Sequence, residues 1–150
     1  MVHVRHVTPD QREAWLHMRS ALWPEGATAE HESEIDTFFA GRLREPLAVL
    51  IATGDAGEAL GFAELSIRSY AEGCETDRVA YLEGWYVVPD ARRSGVGRAL
   101  VEAAEAWAIE RGCQEFASDT LLDNHVGAEA HRALGFEEVE RIRCYRKTLT

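Results

Sequence analysis

The residues best spaced for chemistry are Arg92-Arg93-Ser94-Gly95-Val96-Gly97-Arg98, which follow the run Tyr81–Val88 and Pro89. The run before them is aromatic and β-branched and reads as a strand that Pro89 stops. After the glycines, Val96, Ala99, Leu100, Ala103, Ala104, Trp107 and Ala108 recur at the i, i+3, i+4, i+7 spacing of an amphipathic helix. A glycine turn that opens a helix leaves backbone N–H groups without partners at the positive end of the helix dipole. That arrangement suits a phosphate or pyrophosphate. Two nucleotide-binding patterns are disfavoured: Leu100 stands where G-x-G-x-x-G needs its third glycine, and the Gly-Lys-Ser/Thr of a P-loop is absent.

The elements that must position this turn follow from periodicity and punctuation. Val2–Val7 reads as a strand, and Thr8 with Pro9 opens a helix through Ala14, Trp15, Met18 and Leu22 that ends near Pro24-Glu25-Gly26. Thr28 is expected to cap a second helix whose apolar face is Ile35, Phe38, Phe39 and Leu43. Ala48–Thr53 and Ala59–Ile67 read as two strands joined by the hairpin loop Gly54–Glu58, with Glu64 and Ser66 on one face of the second. Ser69–Arg78 is a polar loop, and the central helix ends at Arg111 with Gly112 behind it. Glu115–Ser118 is a strand leading to Asp119; Asp123 or Asn124 caps a helix through Ala128, His131 and Leu134 that Gly135 stops. Phe136–Val139 and Ile142–Leu149 are expected as the last two strands. The order βααβββαβαββ describes an α/β fold around one sheet with at least one crossover pair. Without a linker or repeat, residues 1–150 read as one domain.

Bulk properties narrow the function. A formal net charge of −10 argues against nucleic acid, whose binding needs a basic face, and is compatible with a cationic substrate. No apolar run reaches membrane-spanning length, and the N-terminal residues lack a signal-peptide pattern, so a cytoplasmic location is expected. Cys74, Cys113 and Cys144 contain no C-x-x-C pair, which disfavours a disulfide framework or structural zinc, and the histidines are too scattered for a metal site. Cys74 has no recognisably spaced His–Asp partner to activate it as a nucleophile.

The arginine–glycine turn after a Val-Val-Pro strand end resembles the coenzyme A motif of the GNAT superfamily of N-acetyltransferases, Arg/Gln-x-x-Gly-x-Gly/Ala. The resemblance extends over nearly the whole chain, with Asn124, His131 and Gly135-Phe136 where the superfamily often has Asn, Tyr and Gly-Phe. Trp23 and the runs Glu64–Arg68, Gly73–Thr76, Leu82–Gly84, Glu115–Asp119 and Leu122–Asn124 are similar to the bacterial aminoglycoside 6′-N-acetyltransferases.

The resemblance implies a mixed, mostly antiparallel sheet with a central splayed strand pair and flanking helices. It implies acetyl-CoA as the donor and a cationic aminoglycoside as the acceptor, with direct attack in a ternary complex. The donor's pyrophosphate would lie on Arg92, Arg93, Ser94, Gly95, Val96, Gly97 and Arg98, with Asn124 nearby. A bulge near Trp85–Val88 would expose the backbone of Val87 and Val88 to the thioester and its arm. The acceptor would meet Glu75, Glu83 and Asp119, with Trp23 and Tyr70 as walls; Asp119 is the leading base and Glu83 the second choice. His131 stands at the position of the superfamily's tyrosine acid, so it and Tyr145 are candidate proton donors, although a histidine on a helix face is more often a packed residue. Relatives often pair through C-terminal strands, which implies a homodimer. An acetyltransferase of another amine, such as a polyamine or protein N-terminus, and a non-catalytic acetyl-CoA sensor both remain open at this point.

Overall fold

In a computed structural model, which describes residues 1–42 and 45–150, the strands pair in the order in which the chain makes them. β1 (His3–His6), β2 (Ala48–Thr53), β3 (Ala59–Arg68) and β4 (Val79–Val87) are successive antiparallel neighbours. β5 (Glu115–Ser118) joins β4 in parallel, because the chain returns through the helix α3 (Val96–Glu110). The other helices are α1 (Arg12–Leu22), α2 (Thr28–Phe39) and α4 (His125–Ala133).

Each face of the sheet buries a different partner. Leu50, Ala52, Ala63, Leu65, Ala80 and Leu82 pack under Val96, Leu100, Ala104 and Trp107 of the apolar stripe read from the sequence of α3, joined by Val101, which that stripe lacks. On the opposite face Val49, Ile51 and Phe62 pack against Trp15 and Met18 of α1 and Ile35 of α2. The near-continuous burial of β2 follows from being covered on both sides.

Several expected boundaries move. A 3₁₀ turn, Pro9–Gln11, intervenes between Thr8 and α1. Thr28 is the first helical residue of α2 and Ala27 its cap; the expected helical position Leu43 lies outside the described residues. β4 begins two residues earlier than the aromatic run, at Val79.

Two differences bear on function. The bulge in β4 is at Glu83, upstream of the expected Trp85–Val88: Glu64 faces Gly84 while Leu65 faces Leu82, leaving Glu83 as the extra residue. Leu82 and Trp85 therefore point to the same face although three positions apart, and Glu83 stays on the face of Tyr81. The expected strands Phe136–Val139 and Ile142–Leu149 are not formed. Residues 136–150 have no regular structure, and all from 137 onward are exposed. A strand needs a partner edge, and among the described residues none is paired with this segment.

Candidate active site

β4 and β5 are paired only from Val79 to Leu82, where β5 reaches Ser118 and stops. β4 runs on to Val87 beside β3 alone, so its other edge opens a gap. The N–H of Val88 bonds the Leu60 carbonyl at 2.9 Å, so by the alternation of an antiparallel ladder the backbone groups of Val87 and Trp85 point into the gap. This is the splayed pair that the resemblance implies. Val87 retains a candidate donor N–H there, whereas the Val88 N–H is occupied by β3 and is removed from the expected donor set.

The turn from Arg92 to Gly97 lies at the end of this gap. Arg93 has φ 63° and Gly95 φ 89°, left-handed values that turn successive N–H groups to one side. Among the described residues, the backbone N–H groups of Arg93, Ser94, Gly95, Val96, Gly97 and Arg98 make no hydrogen bond. Their position at the head of a fifteen-residue helix is that of an anion cradle. The Arg93 and Arg98 side chains are exposed and available to a phosphate. Those of Arg92 and Ser94 turn inward: Arg92 Nε donates to the Val87 carbonyl at 2.8 Å, and Ser94 Oγ donates to the Ala91 carbonyl. Val96 contributes only backbone, since its side chain is buried in the core. Trp85 Nε1, buried and without a partner among the described residues, stands 3.7 Å from where a Cβ on Gly97 would lie. The unpartnered donors and the open strand edge together fit a long anionic ligand such as acetyl-CoA.

Of the expected acceptor residues, Trp23 and Glu83 meet on the other side of β4. A cleft of about 180 Å³ is lined by Arg19, Trp23, Glu45, Pro46, Glu64 and Glu83. Trp23 lies over Gly84, where a Cβ would meet its Cη2 at 2.7 Å. Behind it Arg19 donates to Glu64 at 2.8 Å and its guanidinium stands 5.0 Å from the Trp23 ring centroid. Burial pushes the Glu64 carboxyl up, against the opposing pull of Arg19 and Trp15.

Glu83 is not a free base. Arg68 grips it as a fork, Nε to Oε2 at 2.9 Å and Nη2 to Oε1 at 2.7 Å, and the Ser66 hydroxyl also donates to it. Asp119, exposed beyond the end of β5, accepts a 2.5 Å hydrogen bond from the Tyr81 hydroxyl. Burial and Asp119 push the Tyr81 phenol well above its ordinary value, so the proton stays on oxygen.

The remaining expected residues are not brought into this cluster. The exposed Glu75 donates its backbone N–H to Glu115, and Tyr70 is 68 % exposed in the same loop. His131 is held at both nitrogens: Nδ1 donates to the Gly127 carbonyl at 2.6 Å, and Nε2 shares a hydrogen bond with Ser118 Oγ at 2.8 Å. Its ring packs against Trp85 and Phe136. Tyr145 is 87 % exposed in the C-terminal segment. Asn124 caps α4, accepting from Gly127 N–H at 2.9 Å and donating to Thr120 at 3.1 Å. Burial, with Glu115 adding to it, pushes the Cys74 thiol up, away from the thiolate a nucleophile needs.

Arg19, Glu45, Glu64, Arg68 and Tyr81 are not singled out for a role by the sequence. The signal it carries is two charged residues, Glu64 and Arg68, in an otherwise apolar strand.

The model of the acetyltransferase (GNAT) family matches residues 12–136. The chain belongs to the GNAT family. This GNAT chain is 60 % identical over 146 residues to the aminoglycoside N(6′)-acetyltransferase type 1 of Klebsiella aerogenes, covering 97 % of its own length and 96 % of that protein. The solved structure of AAC(6′)-Iy in complex with the bisubstrate analogue CoA-S-monomethyl-acetylneamine superposes with a TM-score of 0.91 at 37 % identity, covering 99 % of each chain. AAC(6′)-Iy in complex with CoA gives 0.90 at 37 % identity, over 99 % and 96 %.

Proposed function

We propose that this protein transfers an acetyl group from acetyl-CoA to the 6′-amino group of an aminoglycoside. The observation that carries the reading is the division of β4 between two clefts: an anion-binding turn and open backbone edge on one side, and carboxylates with an indole wall on the other. The likeness to full-length relatives named for this activity supports it.

Acetyl-CoA supplies an activated acyl group as a thioester. The free N–H groups of Arg93–Gly97 and the side chains of Arg93 and Arg98 hold its pyrophosphate, and the Val87 N–H faces the thioester oxygen. The acceptor cleft is smaller than the ~300–1,000 Å³ of typical ligand pockets, so it takes one amine-bearing part of a larger cation. Asp119 orients the amine and accepts its proton, directly or through water, while the nitrogen bonds the acyl carbon and the sulfur leaves. Glu83, already paired with Arg68, acts on charge and position. Initial rates with kanamycin, tobramycin, spermidine and an N-terminal peptide at equal concentration test this. Aminoglycoside turnover no better than that of simple amines sinks it. The donor's supply assigns the reaction to the cytoplasm.

We infer a homodimer built on the outer edge of β5 and residues 136–150. The edge carries no strand among the described residues, and a groove of about 170 Å³ beside it includes Glu105, Glu115 and Phe116. The exposed segment brings Ile142 and the basic Arg141, Arg143, Arg146 and Lys147. Light scattering of the intact chain and of one ending at residue 138 tests this: the intact chain is a dimer and the shortened one a monomer. A monomeric intact chain rules it out.

A further inference from the structure

Asp119 is the first residue beyond the β4–β5 ladder, so no strand pairing fixes it. Among the described residues its carboxylate has one hydrogen-bond partner, the Tyr81 hydroxyl on Oδ2. The other oxygen is left to a ligand. Tyr81 is itself enclosed: it is 3 % exposed, pairs with Ala117 on one side and Ser66 on the other, and packs with Ala71 and Val79. The Arg68 guanidinium lies over its ring at 3.6 Å, and the same guanidinium forks Glu83. The unit Glu83–Arg68–Tyr81–Asp119 thus ties both acids of the acceptor side to the paired part of the sheet. A surface carboxylate without such a tether samples several rotamers, and only some would meet the amine.

We propose that Tyr81 is the positioning residue of the transfer: its hydroxyl occupies one oxygen of Asp119 and aims the other at the acceptor amine. This rests on the proposed role of Asp119. Burial and Asp119 raise the phenol above its ordinary value, so it remains a donor near neutrality.

Tyr81→Phe keeps the ring, its stacking on Arg68 and its packing while removing the tether. In that variant kcat for an aminoglycoside falls roughly 10- to 100-fold, the worth of a hydrogen bond to a charged group. The acceptor KM stays within ~2-fold, because Trp23 and Glu83 are untouched, and calorimetric acetyl-CoA affinity is unchanged. The decisive measurement is the cycle with Asp119→Asn. If Tyr81 acts through Asp119, adding Tyr81→Phe to Asp119→Asn costs less than ~2-fold further. Full kcat in Tyr81→Phe overturns the proposal. So does an equal loss in both backgrounds, or a loss of acetyl-CoA binding that marks a general defect of the sheet. A wild-type chain that prefers another amine sinks the aminoglycoside reading alone, and the same cycle on that amine still decides Tyr81. An Asp119→Asn chain with full activity sinks the role of Asp119 and the tether with it.

Discussion

The turn Arg92–Gly97 and the acids around Glu83 and Asp119 serve one strand from opposite sides, yet they are made from different parts of the residue. The turn presents main-chain N–H groups whose direction is set by two left-handed residues and the head of a helix. The acid side presents side chains, each held by another: Glu83 by Arg68, Asp119 by Tyr81, and Trp23 backed by Arg19 with Gly84 beneath it. A backbone cradle tolerates changes of side chain and fails when the chain cannot take its conformation. A side-chain cluster fails at single groups and is otherwise free to be retuned.

The sharpest break of this contrast is Asp119→Asn. Turnover of an aminoglycoside falls ~10²-fold or more while acetyl-CoA affinity stays, measured by steady-state kinetics beside calorimetry. Unchanged turnover would remove Asp119 from the chemistry. On the donor side the effect is conformational. Gly95 has φ +89° with open space around its would-be Cβ, so Gly95→Val is resisted by its backbone and not by its neighbours. At ~1–3 kcal/mol for such strain, the acetyl-CoA KM rises on the order of 10-fold with the acceptor KM constant. An equal rise in both constants would mean that the two sides are not separate.

Gly84→Ala probes the acceptor wall alone. The added methyl meets Trp23 at 2.7 Å, so the indole must shift, and the acceptor KM rises ~3- to 10-fold at constant donor KM. Indole fluorescence changes with it, and an unaltered acceptor KM would take Trp23 out of the cleft.

The smallest expected effect is one of acidity. The Thr76 hydroxyl and the N–H groups of Thr76 and Glu75 hold the Glu115 carboxyl below the usual carboxylate range. A carboxyl lowered by folding holds its loop above its ordinary value and lets go as pH falls through the lowered one. Protection of the Glu75 and Thr76 amides, taken relative to their intrinsic exchange rates, therefore falls on acidification below pH ~4 and does not change with pH there in Glu115→Gln. Equal slopes in both proteins would exclude Glu115 as the clasp.

The same contrast explains which features are legible in the amino-acid sequence. The turn is legible because its requirement is local: strand, stop, arginines, two glycines and a helix stripe all fall within one continuous stretch. The strands Ala48–Thr53 and Glu115–Ser118 are likewise legible, with the bounds that their residue pattern implies. The tethers are not, since Arg68–Glu83, Tyr81–Asp119 and Arg19–Glu64 join residues 15, 38 and 45 positions apart and depend on strand register. His131 is legible as a helix residue, but its bonds to Ser118 and Gly127 arise only when α4 meets the end of β5. The final strands expected from the sequence do not form, because alternation describes a segment able to pair, and pairing also needs an edge.

The extra residue at Glu83 gives β4 a change of phase, much as an inserted letter shifts a reading frame. Upstream of it even positions face α3, and downstream odd ones do, as Leu82 and Trp85 both pack there. Deleting Glu83 would restore unbroken alternation with Leu82 and Trp85 both still against the helix, whereas deleting a residue on either side of it would turn one half of the strand over. The bulge is thus the one place where this strand can lose a residue and keep both halves in phase, at the cost of the carboxylate that Arg68 holds.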